Sequence, residues 1–185
     1  MKLVILDRDG VINKDSDDYI KSTAEWQPLP GSIEAIARLS NAGFHVVVAT
    51  NQSGIARKLF DLQTLNAMHN KMQRLVAEHG GNIDAVFFCP HGPNDNCDCR
   101  KPKTGLLTEV ARRFGTSLQG VPCIGDAYRD IEAARAVGAL PILVRTGKGT
   151  RTLYNTDNNL EGVPVFCDLN EAVNAMLAGE LPLYQ

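Results

Sequence analysis

The sequence predicts an α/β fold: a doubly wound, mostly parallel sheet with helices on both faces. Three observations carry this. Short apolar runs rich in β-branched residues alternate along the whole chain with stretches of helical periodicity. Glycines close the helical stretches before the next strand-like run. Small clusters of Asp, Thr, Asn and Gly follow the strand-like runs, at the strand ends where open parallel sheets bind ligands. At 185 residues the chain fits one domain, 1–185, large enough to bury a full core.

The strand-like runs are 2–6, 44–49, 83–88, 121–124, 141–144 and 163–167. The first helix opens near Pro30-Gly31-Ser32, carries Ile33, Ile36, Ala37 and Leu39, and closes at Gly43. The second carries Leu62, Leu65, Met68, Met72 and Leu75 and ends at Gly80-Gly81. The third runs from Leu106 to Phe114 before Gly115, a fourth from Ile131 to Val137 before Gly138, and a last one from Leu169 to Leu177 before Gly179. The Thr- and Asn-rich stretch 147–162 reads as a long surface loop. His45 starts a strand, and His69 and His79 fall on a helix as surface or half-buried residues.

Bulk properties exclude several classes. A net charge of -2 provides no broad basic field for nucleic acid. No apolar run approaches the roughly 20 residues of a bilayer span. The chain opens on a strand-like run with an acidic turn, not on a signal peptide, so a cytoplasmic protein with no membrane partner is expected. Five cysteines, an odd number, argue against a disulfide framework. Cys123 and Cys167 lie in apolar surroundings and read as small core residues.

The first strand-like run delivers Asp7 and Asp9 onto a turn at Gly10. Residues i and i+2 of a strand point the same way, so the two carboxylates are expected to converge at its carboxyl end. Like charges held that close need a cation between them, and Mg²⁺ prefers oxygen ligands. After the second run comes Thr50-Asn51-Gln52-Ser53-Gly54, whose hydroxyl and backbone N–H groups suit phosphate oxygens. After the third comes a loop holding Arg100-Lys101-Pro102, and after the fourth Gly125-Asp126 with Asp130 four residues on.

The third loop also carries Cys89-Pro90-His91 and Cys97-Asp98-Cys99. Three thiolates and one imidazole make a tetrahedral Zn²⁺ set. Cys89, His91, Cys97 and Cys99 leave no vacancy, so the zinc is expected to be structural. Its place next to Arg100 and Lys101 suggests that it stiffens a loop that presents both cations.

These motifs in this order, from Asp7 to about Val144, resemble the haloacid dehalogenase superfamily of phosphohydrolases. The resemblance implies a Rossmann-like fold and Mg²⁺-dependent hydrolysis of a phosphomonoester. It implies Asp7 as the nucleophile that forms an aspartyl-phosphate, and Asp9 as general acid and then base. Thr50, with Asn51 and Gln52 beside it, would bind the phosphoryl group and Lys101 would neutralise it, with Lys103 as the fallback. Asp7, Asp126 and the backbone carbonyl of Asp9 would hold Mg²⁺, with Asp130 behind them. Many relatives carry a cap domain after the first or second motif. Only about 20 residues separate Asp9 from the first helix here, so a capless enzyme is expected, with loops forming the pocket. The acidic cluster holding Asp15 and Asp18 would meet sugar hydroxyls or an amine.

Two capless branches share these features. One acts on a sugar bisphosphate for lipopolysaccharide heptose synthesis, the other on histidinol phosphate. The Ser-Gly-Ile-Ala-Arg continuation after Gln52 resembles the first. Arg100 also suits a second phosphate, because Arg offers a planar fork to phosphate oxygens. The expected partner is therefore a small phosphorylated sugar, and the expected state a monomer. A zinc-stabilised binding module without catalysis and a nucleic-acid 3′-phosphatase are the alternative readings. Balanced charge counts against the latter.

Overall fold

A computed structural model describes residues 1–182. Its elements in chain order are β1 (Lys2–Leu6), α1 (Ser32–Asn41), β2 (Phe44–Asn51), α2 (Leu62–Glu78), β3 (Ala85–Cys89), α3 (Gly105–Phe114), β4 (Pro122–Gly125), α4 (Tyr128–Ala136), β5 (Leu140–Val144), α5 (Gly149–Tyr154), β6 (Val165–Phe166) and α6 (Leu169–Leu177). The strands form one parallel sheet in the order β3-β2-β1-β4-β5-β6. This is the doubly wound arrangement that the alternation of runs predicts.

Strand alternation splits the core into two layers. Val4 and Leu6 of β1, with Val46 and Val48 of β2, face α1, α2 and α6 through Ile36, Leu39, Met68, Met72 and Val173. Leu3, Ile5, Val47 and Ala49 face the opposite way, onto Leu107 and Val110 of α3 and Ala133 and Ala134 of α4. Both faces of the central strands are therefore dry, as a parallel sheet requires. Asp61 caps α2 by accepting from the Thr64 N–H at 2.8 Å, and Asp168 caps α6 from the Glu171 N–H at 2.8 Å.

The strand order reverses between β1 and β4, and the crevice at a reversal point is where such sheets bind ligands. β1 delivers Asp7 there and β4 delivers Asp126. The Asp7 N–H donates to the Ile124 carbonyl at 2.9 Å, which ties the two ends together.

The segment between β1 and α1 folds down onto the core. Val11, Ile12 and Trp26 are fully buried, and Lys71 of α2 donates to the Trp26 carbonyl at 2.6 Å. No second sheet or separate helical unit forms among the described residues.

Four expectations need correction. The 147–162 stretch is not all loop: Gly149–Tyr154 forms α5, held inward by buried Thr152, whose hydroxyl donates to the Asp126 carbonyl at 2.8 Å. The last strand is only Val165–Phe166, so Cys167 falls beyond it and is exposed, whereas Cys123 is buried as expected. α4 begins at Tyr128, a turn before its apolar periodicity starts, which brings Asp130 into its first turn. His69 is buried, not superficial, because it faces the buried Arg8.

Candidate active site and a Cys/His cluster

Asp7 follows the last residue of β1 and is buried, in contact with a buried lysine. Lys101 Nζ lies 3.0 Å from Asp7 Oδ1, 2.6 Å from Asp130 Oδ1 and 2.8 Å from the Ala49 carbonyl. Its three N–H donors are thus matched by three acceptors. Lys103 is turned away and donates instead to the Cys97 carbonyl. Asn51 holds the Lys101 backbone at two points, accepting from its N–H at 3.0 Å and donating to its carbonyl at 3.1 Å. Asn51 lines the cavity, and its side-chain amide positions the Lys101 backbone.

Asp9 is placed by a different set of contacts. Its Oδ1 accepts from Arg8 Nη2 at 2.7 Å, Arg8 Nε at 3.1 Å and Asn13 Nδ2 at 2.8 Å. Its Oδ2 accepts only from Gln52 Nε2 at 2.8 Å, and Gln52 also donates to Thr50 Oγ1 at 3.0 Å. Gln52 therefore couples the expected phosphate-binding hydroxyl to the expected general acid.

Asp126 sits at the carboxyl end of β4. Its Oδ2 accepts from the Lys148 N–H at 2.7 Å, while its Oδ1 is buried with no partner. A side chain at Gly10 or Gly147 would collide with Asp126 Oδ2, and both glycines hold positive φ, so no other residue fits these positions without strain. Asp130 Oδ2 accepts from the Ala127 N–H at 3.0 Å, which closes the first turn of α4 on itself.

Asp7, Asp126 and Asp130 can bring carboxylate oxygens within 4.8 Å of one another. Burial, added to neighbouring carboxylates, pushes Asp7 up to about 6 and Asp126 up to about 8. Burial also works against ionised Asp130, but Lys101 and Arg129 outweigh it and hold Asp130 below its ordinary value. Asp9 is likewise opposed by burial and likewise held low, by Arg8, Asn13 and Gln52. Burial would lower Lys101, yet Asp130 and Asp7 raise it and keep it charged. The buried orphan oxygen and the surplus negative charge fit a hard divalent cation with oxygen ligands, such as Mg²⁺.

Asp7, Asp9 and Thr50 line a cavity that opens to solvent. Arg100, Arg129, Lys148, Asp15, Ser16, Asp17 and Tyr19 also line it. Lys148 Nζ pairs with Asp15 Oδ2 at 3.0 Å. Asp18 is corrected: it is exposed and not among the lining residues, since the loop turns at Tyr19, which holds positive φ. Arg129 and Lys148 escaped the sequence reading. The only signal for Arg129 is its place just before Asp130, in a helical turn that starts at a strand end.

The Cys/His cluster lies beside this cavity. Cys89 ends β3, and His91, Cys97 and Cys99 follow on the loop. Four of the six ligand-atom pairs are 2.9 to 3.7 Å apart, all lie within 4.8 Å, and all cysteines are free thiols. A tetrahedral Zn²⁺ with bonds of about 2.3 Å would set sulfur–sulfur edges near ~3.8 Å, so the set fits zinc and not a disulfide. Arg100 Nη1 donates to the His91 carbonyl at 3.3 Å, which links the cluster to the cavity wall.

A buried carboxylate–lysine centre at the reversal point of a parallel sheet defines the class. Residues 98–172 match the family described as HAD-hydrolase-like. At full length, the chain is 57% identical over 175 residues to the D-glycero-β-D-manno-heptose-1,7-bisphosphate 7-phosphatase of Pseudomonas aeruginosa, covering 95% of this chain and 97% of that one. It is 37% identical over 161 residues to the D-glycero-D-manno-heptose-1,7-bisphosphate 7-phosphatase of Thermosynechococcus vestitus, covering 81% and 82%. The crystal structure of the Bordetella bronchiseptica D,D-heptose 1,7-bisphosphate phosphatase, complexed with magnesium and phosphate, superimposes with a TM-score of 0.94 at 53% identity, covering 97% of this chain and 99% of that one. The chain belongs to this heptose bisphosphate phosphatase family of HAD-like phosphomonoester hydrolases.

Proposed function

We propose that the chain removes the 7-phosphate of D-glycero-β-D-manno-heptose 1,7-bisphosphate, in heptose precursor synthesis for lipopolysaccharide, with Asp7 as the nucleophile. The observation that carries this reading is the buried Lys101 ammonium bridging Asp7 and Asp130 beside the cavity. A phosphoryl transition state asks the protein mainly for positioning and charge neutralisation, which this centre supplies.

In the first step an Asp7 oxygen attacks phosphorus, and the bond from phosphorus to the sugar oxygen breaks. That oxygen takes a proton from Asp9 and leaves as an alcohol. In the second step Asp9, now a carboxylate, takes a proton from water. The water oxygen attacks phosphorus and displaces Asp7, which releases inorganic phosphate. Of the two Asp9 oxygens, Oδ1 already accepts three hydrogen bonds, so Oδ2 carries the proton. The Gln52 amide keeps Oδ2 aimed beside Thr50. An arriving phosphate dianion favours the protonated form of Asp9 over the ionised form that Arg8 otherwise holds.

Asp7, Asp126 and the Asp9 backbone carbonyl would hold Mg²⁺, with Asp130 steadying Lys101 behind them. When bound, Mg²⁺ supplies the positive charge that offsets repulsion between Asp7 and the phosphate. Cys89, His91, Cys97 and Cys99 would hold a structural Zn²⁺ that fixes the backbone of Arg100 and Lys101. Arg100 takes the phosphate that is not transferred, and Asp15 the sugar hydroxyls. A doubly phosphorylated sugar does not cross membranes, and no helix among the described residues is long and apolar enough to span one. The reading is therefore of a cytoplasmic enzyme, acting as a monomer.

The test is kcat/KM on heptose 1,7-bisphosphate, fructose bisphosphate and histidinol phosphate. The heptose should be preferred by at least tenfold. Preference for histidinol phosphate would overturn the substrate, and inactivity on every ester would overturn the enzyme.

A further inference from the structure

Arg129 is a cation lining the cavity that the reading above leaves unused. It is the second residue of α4, directly before Asp130, and it lines the cavity together with Asp7 and Thr50. It makes no hydrogen bond or ion pair among the described residues, and its Nε is buried without a partner. Lys101 is held by Asp7, Asp130 and the Ala49 carbonyl, and Lys148 by Asp15, whereas Arg100 makes one hydrogen bond, from Nη1 to the His91 carbonyl at 3.3 Å.

A guanidinium nitrogen buried without a partner is costly. Here it carries a second cost, because a fixed positive charge beside Asp7, Asp126 and Asp130 works against a divalent cation on the same carboxylates. Burial also disfavours its charge, yet these carboxylates raise it above its ordinary value and keep it cationic. An anion entering the cavity would offset both costs. A phosphate would take the planar fork in two parallel hydrogen bonds.

We propose that Arg129 binds a phosphate group of the substrate. The inference rests on the phosphatase reading of this cavity.

The test uses the Mg²⁺-loaded enzyme and two variants, Arg129→Met and Arg129→Lys. Inorganic phosphate binding is measured by calorimetry. kcat/KM is measured on a simple monophosphate ester and on a sugar bisphosphate, and the Mg²⁺ activation constant is followed alongside. Arg129→Met should lose roughly tenfold or more, as for a charge-assisted bidentate contact. Arg129→Lys should recover part of it, and Mg²⁺ should bind as well as before or tighter. Weaker phosphate binding with equal losses on both substrates supports a contact with the transferred group. Intact phosphate binding with a loss confined to the bisphosphate supports a contact with the other phosphate. Unchanged values throughout, or a loss cured by excess Mg²⁺, would overturn the proposal. A wild type that binds phosphate through Arg129 yet hydrolyses no ester would sink the enzymatic reading alone.

Discussion

Among the described residues two clusters fit a metal, and they are built in opposite ways. Asp7 follows β1, while Asp126 and Asp130 lie more than a hundred residues on, after β4 and in the first turn of α4, and all three are buried. Cys89, His91, Cys97 and Cys99 come from eleven consecutive positions on one loop, and only Cys89 is buried. The first cluster depends on the whole sheet. It offers hard oxygen donors, leaves Asp126 Oδ1 without a partner among the described residues, and opens onto a cavity. The second is local, offers soft donors, and fills its own coordination shell. An open set of oxygens suits an exchangeable ion that meets substrate, whereas a closed sulfur set suits an ion that shapes the backbone.

The sharpest way to break this division is to remove one ligand from the distributed cluster. Asp7→Asn keeps the shape and takes away the nucleophile. Activity on any phosphate ester should fall by roughly three orders of magnitude or more. The fold should survive, because the change relieves repulsion among buried carboxylates and Asp130 still pairs with Lys101. A variant that keeps a tenth of wild-type turnover would exclude Asp7 from covalent catalysis.

Arg100 stands between the clusters, and its loss should be smaller and selective. Arg100→Ala should lower kcat/KM on the bisphosphate by roughly ten- to a hundredfold, the value of a lost charged hydrogen bond. A monophosphate ester should be nearly unaffected. Equal losses on both would move Arg100 to the transferred phosphate.

The contrast also explains what could be read in advance. The local cluster is legible from spacing alone, since Cys-x-His and Cys-x-Cys already imply a tetrahedral donor set. The distributed cluster is not: an Asp-x-Asp-Gly turn and a Gly-Asp pair are common, and their order along alternating strands is what joins them. The sheet was legible because β1 and β2 are apolar on both faces. β6 was over-extended because Val163 packs with Ile131 and Leu143 without pairing as a strand. Arg129 and Lys148 were missed because a cation on a helix or in a Gly/Thr-rich turn has no pattern of its own. Only the strand order aims them inward. Asn51 and His69 show a further limit, since sequence suggests what a side chain is able to bind and not the backbone or guanidinium that claims it.

Cys97→Ser tests the local cluster. It should remove zinc from the purified protein, as seen by metal analysis, and leave the sheet folded. Activity should fall by about tenfold, within the range for a catalytic group displaced by a fraction of its productive geometry. The effect would act through Lys101 and Arg100, whose loop loses its anchor while Asn51 still clamps the Lys101 backbone. Full activity in a zinc-free variant would end the presenter role.

The smallest effect is in stability, and it separates the clusters by pH. Mild chelation should strip the oxygen site and spare the zinc. In that protein Asp126 is raised to about 8 and Asp7 to about 6, first by burial and then by nearby charge. The folded chain therefore keeps protons that the unfolded chain gives up near the ordinary carboxylate value. Their contribution to stability is complete below that value and is lost as pH rises through 6 and then 8. His69, held near 3 by burial and by Arg8, acts the other way, losing its contribution as pH falls below its ordinary value of 6.5. Between pH 6.5 and 8 Asp126 acts unopposed by His69. The melting temperature of the Mg²⁺-free, zinc-loaded protein should fall by a few degrees across that window. Mg²⁺ displaces these protons, so its stabilisation should be larger at pH 8 than at pH 6.5. Asp126→Asn should flatten the slope, whereas Cys97→Ser should leave it in place. A slope that survives Asp126→Asn would show that the oxygen cluster does not carry this pH dependence.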